Sequence, residues 1–135
     1  MNKRLLSVGI ALALATGASA PAAGQKQGLA MLDGLQSGRW ELRPHERDGR
    51  VERLCLRDGR RLIQLRHPAA ACNRLVLDDT VTEVTVQYTC PGHGYGRTNI
   101  RRESGRLVQL ESQGVVDGLP FSFSAEGRYL GECPD

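Results

Sequence analysis

Four cysteines, Cys55, Cys72, Cys90 and Cys133, constrain this chain more than any other feature. A metal site needs ligand pairs at close spacing, such as C-x2-C or H-x3-H. The nearest approach is Cys90-Pro91-Gly92-His93, a lone C-x2-H. No metal and no cofactor is therefore expected. An even cysteine set in an exported chain reads instead as two disulfides in an oxidising compartment.

Export is written at the N-terminus, "MNKRLLSVGIALALATGASAPAAGQ". Lys3 and Arg4 form a positive start, Leu5 to Ala15 an apolar stretch, and small residues follow, in the pattern of a secretory signal peptide. The apolar stretch is shorter than the roughly 20 residues needed to span a bilayer. Pro21 disfavours cleavage after Ala20, so cleavage after Ala22 is expected. No cysteine lies nearby to carry a lipid anchor. Residues 1–22 are thus expected to be a signal peptide and residues 23–36 a flexible or partly helical segment. Residues 37–135 are expected to form one antiparallel β domain. The destination is the periplasm, and no transmembrane segment is expected in the mature chain.

Removing Lys3 and Arg4 turns a net charge of +3 into 16 basic against 15 acidic side chains. A nucleic-acid binder shows a strong basic excess on one face, so no nucleic-acid partner is expected. Ten arginines against five acids between Arg39 and Arg74, and five against nine from Leu75 onward, read as two differently charged solvated faces. The mature chain of 113 residues is one domain's length, and a monomer is expected. The partner is open, either an envelope protein or a small ligand.

The core reads as β. In "VTEVTVQYTC", Val84, Val86, Tyr88 and Cys90 share one face and Glu83, Thr85, Gln87 and Thr89 the other, the alternation of a half-buried antiparallel strand. "FSFSAEGRY" is cleaner still: Phe121, Phe123, Ala125, Gly127 and Tyr129 alternate with Ser122, Ser124, Glu126 and Arg128. "GRWELRPHE", "VERLCL", "CNRLVLDD", "RTNIRRE" and "LVQLESQGVV" supply further strands, with a turn at Arg47–Gly49 between the first two. "RRLIQLRHP" lacks strict alternation and suits a short helix capped by Asp58. The expected fold is mainly β: a single antiparallel meander of about seven strands, strongly curved or forming a partly closed barrel. One short helix sits between strands 2 and 3, and two disulfides brace the whole. The connections are too short for parallel crossovers, and closure would deal with exposed edges.

Cys72 and Cys90 flank one hairpin symmetrically about Val81. Opposed there, they share a face and can bond, leaving Cys55–Cys133. That register, however, pairs Val76 with Val86 and turns Leu75 and Leu77 away from the Val84/Val86 face. A bulge, or a Cys72 outside the strand proper, would reconcile the two. The pairing Cys72–Cys90 with Cys55–Cys133 is preferred; Cys55–Cys72 with Cys90–Cys133 stays open.

The ordered motifs resemble a known family. Gly38-Arg39-Trp40-Glu41 makes a G-x-W-E start, and Cys55-Leu56 leads into a short helix. Cys72 opens a hairpin, Cys90 closes it within "YTCPG", and "YLGEC" completes the set at Tyr129 to Cys133. Over Gly38 to Cys133 the chain resembles the exported bacterial proteins grouped as domain of unknown function 3617. The resemblance implies an exported, disulfide-bearing β domain and transfers no catalytic residue.

No catalytic constellation is identified. His93, in "CPGHGYGRT", is the best single candidate for a site, with Tyr95 beside it: glycines permit close backbone approach and imidazole titrates near neutrality. A base needs an orienting carboxylate and a nucleophile in reach, and none adjoins His93 in sequence. Arg97, Arg101, Arg102 and Arg106 crowd into "RTNIRRESGR" and suggest an anion site or the wet face of a strand. His45 reads as a strand residue facing water, and His67 as a helix-end histidine near the last carbonyls. Trp40 reads as core, with Glu41 pointing to solvent; Asp78 and Asp79 read as turn residues.

Three functions remain in view. The first is a non-catalytic binding module for an envelope component or partner protein, holding a small ligand on the concave side of the curved sheet. That version fails if Val84, Val86, Phe121 and Phe123 fully pack the concave side. The second is an envelope-directed hydrolase using His93. The third is a structural or inhibitory module presenting a disulfide-braced loop.

Overall fold

The computed structural model describes residues 28–135; the signal peptide expected over residues 1–22 lies outside them. One short helix, α1 (Ala30–Asp33), precedes seven strands: β1 (Gly38–Pro44), β2 (Glu52–Leu56), β3 (Asn73–Asp79), β4 (Glu83–Cys90), β5 (Gly94–Ser104), β6 (Leu107–Val116) and β7 (Leu119–Gly131). A 3-10 helix, Gly59–Gln64, lies between β2 and β3, and its Asp58 cap accepts from the Arg60 amide. All strand pairs are antiparallel in one sheet of order β2-β1-β7-β6-β5-β4-β3. The sheet is open: β2 and β3 are its two edges.

That order explains the inserted helix. The chain must pass from one edge of the sheet to the other between Leu56 and Asn73, and it does so across the apolar face. Leu62 and Ile63 are fully buried there, with Trp40, Leu42, Val84, Val86, Ile100, Val108 and Leu110. Each such side chain removed from water contributes about 1.5–3 kcal/mol. Thr98 of β5 donates its hydroxyl to the Ile63 carbonyl at 2.6 Å, which pins the 3-10 helix to the sheet. Gln64 is buried and donates to the carbonyls of His67 and Ala70, while Arg74 donates to its Oε1 at 2.7 Å. This amide organises the loop that returns to β3. Leu29, Met31, Leu32 and Leu35 join the same core around α1, and Asp79 accepts from the Leu29 amide at 2.8 Å. Asp79 therefore ties down the N-terminal segment in addition to ending a strand. The tight turn that follows is built by Thr80, whose hydroxyl accepts from the Glu83 amide.

The hairpin register is the symmetric one, with Val76 opposite Val86 and Leu75 opposite Gln87. Leu75 and Leu77 are accordingly exposed. A bulge falls between Val76 and Asp78, and Cys72 lies just outside β3. Cys72 bonds Cys90 across a Cα separation of 4.2 Å, and Cys55 bonds Cys133 across 5.5 Å. The second bond fastens the β2 edge to the chain beyond β7.

Trp40 is buried, donates its indole N–H to the Gln36 carbonyl at 2.8 Å, and meets Tyr129 edge-on. Glu41 departs from expectation. It is buried too, on the opposite face of β1, because Arg43 and Arg53 close over it and donate to its two carboxylate oxygens. Those hydrogen bonds, from Arg43 first and then Arg53, hold its carboxyl below the usual range. His45 lies in the bend after β1, exposed as expected but outside the strand.

Candidate functional site: a polar groove on the outer sheet face

The bend after β4 is shorter than its composition suggests. Only residues 91–93 turn; Gly94, Tyr95 and Gly96 already belong to β5. Gly94 makes this possible by adopting φ 112°, a conformation that side chains other than glycine rarely take. Gly96 pairs with Tyr88, and a Cβ there would strike the Tyr88 ring. The missing side chain is thus the space the tyrosine fills.

With Tyr95 in the strand, period two places Tyr95, Arg97, Asn99 and Arg101 on one face of β5, pointing away from the core. Outward residues of β4, β6 and β7 flank them and form a groove of 690 Å³. Glu83 and Thr85 lie on one side, Glu111 and Gln113 on the other, with Ser122 and Ser124 beyond. Asn99 donates to Glu83 at 2.7 Å and to Thr85 at 2.9 Å, which fixes the centre of the wall. A second hollow of 430 Å³ shares Arg97, Gln113 and Ser122 with the first and continues to Tyr95, Pro120 and Phe121. Ligand sites typically occupy about 300–1,000 Å³. The side chains of Arg97, Gln87 and Gln113 make no hydrogen bond or ion pair among the described residues, so their donors and acceptors face the open groove.

The apolar face offers no such room at its centre. Val84 and Val86 are buried in the core cluster. Phe121 and Phe123 stay half-buried at its margin, stacked on each other, with the Arg66 guanidinium 4.4 Å from the Phe123 ring.

His93 stands apart from the groove. Its exposed ring lies 3.3 Å from the equally exposed Asp117 carboxylate. No hydroxyl bonds to its ring among the described residues. Its backbone is better used: its amide donates to Cys90, and its carbonyl accepts from the Asp117 amide and from His67. His67 was not legible as such. It is buried and bonds Tyr88 at 3.1 Å and the His93 carbonyl at 3.0 Å. A carbonyl only accepts, so Nε2 carries the proton and, in the neutral ring, Nδ1 accepts from the Tyr88 hydroxyl. Burial pushes the Tyr88 phenol up, keeping it protonated for that role.

The arginine tract is divided between faces. Arg97 and Arg101 open into the groove, whereas Arg102 donates to the Val81 carbonyl and Arg106 packs over Tyr129 and bonds Gln36. Arg101 also donates to Glu103. The four do not converge on one anion. Among the described residues no group of three or more His, Cys, Asp or Glu could hold a metal ion.

No family model matches the chain, and neither do curated proteins or solved structures. Two disulfides, and no helix among the described residues long and apolar enough to cross a membrane, are compatible with an extracellular or periplasmic protein.

Proposed function

We propose that this chain is an exported periplasmic protein, of the kind its resemblance to the domain of unknown function 3617 implies, and acts as a non-catalytic binding module of the cell envelope. Its ligand lies in the polar groove across the outer face of β4–β7. One observation carries the reading: Arg97 and Arg101 of β5 open into the groove with the unengaged amide of Gln113, and Tyr95 and Gln87 line the hollow that continues from it past Arg97. The signal-like N-terminus and the disulfides support the location. The hydrolase reading is weaker: His93 has Asp117 beside it and lines a hollow of 240 Å³ with His67, but among the described residues no hydroxyl or thiol nucleophile lines that hollow.

Native mass spectrometry of protein purified from the periplasm of its own host tests this. Wild-type protein and a His93→Ala variant should carry a co-purifying mass that an Arg97→Glu variant loses. A mass that survives Arg97→Glu, or that disappears with His93→Ala, moves the site elsewhere and ends the proposal. The same spectra should show a mature chain beginning at Ala23.

A further inference from the structure

The groove also restricts the chemistry of what it holds. We infer that it takes a glycan: a short run of neutral or zwitterionic sugar rings laid across β4–β7. The inference rests on the groove being the ligand site.

The first argument is main-chain hydrogen bonding. β4, β5 and β6 are each paired on both sides along the groove. β7 pairs with β1 only from Ala125 onward, so its open edge is confined to Leu119–Phe123. An extended peptide gains its affinity from main-chain bonds at a sheet edge, and the centre of this groove, over β5, lies away from that edge. A ligand there is recognised by side chains, which suits hydroxyl and acetamido groups.

The second argument is charge. Glu46, Glu83 and Glu111 face Arg97 and Arg101 across the groove, three carboxylates against two guanidiniums. A phosphate, sulfate or polyanionic glycan would meet a net negative lining. Carboxylates, amides and guanidiniums side by side instead offer acceptors and donors to a ligand whose hydroxyls are both.

The third argument is shape. The lining from Tyr95 to Arg101 covers six residue steps of β5, about 20 Å at roughly 3.3 Å per residue, which accommodates several rings in line. At one end Tyr95 is 52% exposed, with Val115 and Pro120 next to it across the sheet. An aromatic body with a polar tip suits the apolar face of a sugar ring.

An array of immobilised oligosaccharides tests the inference with the full mature chain. Its arms are neutral, N-acetylated, sulfated and phosphorylated glycans, the corresponding monosaccharides, and Ser/Gly peptides. Wild-type protein should bind neutral or N-acetylated oligosaccharides in preference to every other arm. A soluble oligosaccharide of the bound type should shift backbone amide resonances of residues 95–101 and 111–115. Arg97→Ala combined with Gln113→Ala should weaken binding at least tenfold, and Tyr95→Ala likewise; these exposed side chains carry no structural bond, and an unchanged amide spectrum confirms the fold. Preference for sulfated, phosphorylated, monosaccharide or peptide arms overturns the inference, and so does silence on all arms. In those cases a native mass still lost with Arg97→Glu keeps the groove and removes only the glycan; a mass indifferent to that change removes the groove as well.

Discussion

His67 donates its Nε2 proton to the carbonyl oxygen of His93, 3.0 Å away, and so ties the loop after the 3-10 helix to the bend between β4 and β5. Its other nitrogen engages Tyr88. One buried ring thus holds the loop that leads into β3 against the sheet. His67→Ala leaves a buried phenol and a carbonyl without their partner and opens a cavity. It should cost about 2–4 kcal/mol of stability, read as a lower urea midpoint at unchanged slope. His93→Ala, which removes only an exposed side chain, should stay within about 0.5 kcal/mol. Equal losses would contradict this division of labour between the two histidines.

Thr98 sits under the 3-10 helix with its hydroxyl donated to Ile63 and 2.7 Å from the Ser112 hydroxyl. Thr98→Val keeps the shape and removes the donor. The Ile63 carbonyl and Ser112 then lose a buried partner, at about 1–3 kcal/mol. Thermal unfolding measures it, and a shift below about 2 °C would mean the helix is held by packing alone.

Gly96→Ala sets a methyl against the Tyr88 ring. The ring must move, and the His67 bond moves with it. Overpacking of this kind costs about 1–3 kcal/mol. The double variant Gly96→Ala, Tyr88→Phe should show non-additive loss, since both changes act on the same bond. Strict additivity in equilibrium unfolding would refute the coupling.

The buried Glu41 carboxyl gives the stability a pH dependence with a defined sign. Arg43 and Arg53 depress its folded value below 4.5. A depressed acid contributes stability that is fully present above its unfolded value and is lost as pH falls through the folded value. Glu41→Gln should therefore flatten the decline of stability below about pH 4.5 and lower the plateau above it. Urea midpoints between pH 2 and pH 7 check the sign, and parallel profiles for the two proteins would exclude it.

The two disulfides should contribute unequally. In the chain-entropy picture Cys72–Cys90, which spans 18 residues, contributes about 3 kcal/mol, and Cys55–Cys133, spanning 78, about 4–5 kcal/mol. Paired serine variants compared by urea unfolding give the order, and a larger loss on removing Cys72–Cys90 would reverse it.

Much of this architecture was legible because it is local. The alternation of Val84, Val86, Tyr88 and Cys90 marks both the strand and its buried face, and Asp58 announces its cap. The inserted helix was readable for the same reason, although its 3-10 form was not. What stayed hidden depends on neighbours distant in sequence. Nothing near Glu41 says that Arg53, on another strand, will close over it. His67 looks like a helix-end residue until β4 brings Tyr88 beneath it. Period two would have aligned Tyr95, Arg97 and Arg101 had the strand been started at Gly94 instead of at "RTNIRRE"; the obstacle was the run of glycines before Arg97, two of which, Gly94 and Gly96, serve the strand. On the opposite wall, the alternation of "FSFSAEGRY" turned Ser122 and Ser124 outward, but no local signal set them, or Glu111 and Gln113 of β6, across from Arg97.

The cysteine connectivity is nested, the first with the fourth and the second with the third. A chain that meets an oxidant from its N-terminal end presents Cys55 and Cys72 together long before Cys133 has arrived. The first bond open to it, Cys55–Cys72, is absent from the native set, and a chain that forms it recovers by thiolate attack and reshuffling, on a scale of seconds to hours. For a chain oxidised in that order, thiol–disulfide exchange and not oxidation alone would set the native pairing, a demand written in the order of four residues along the chain.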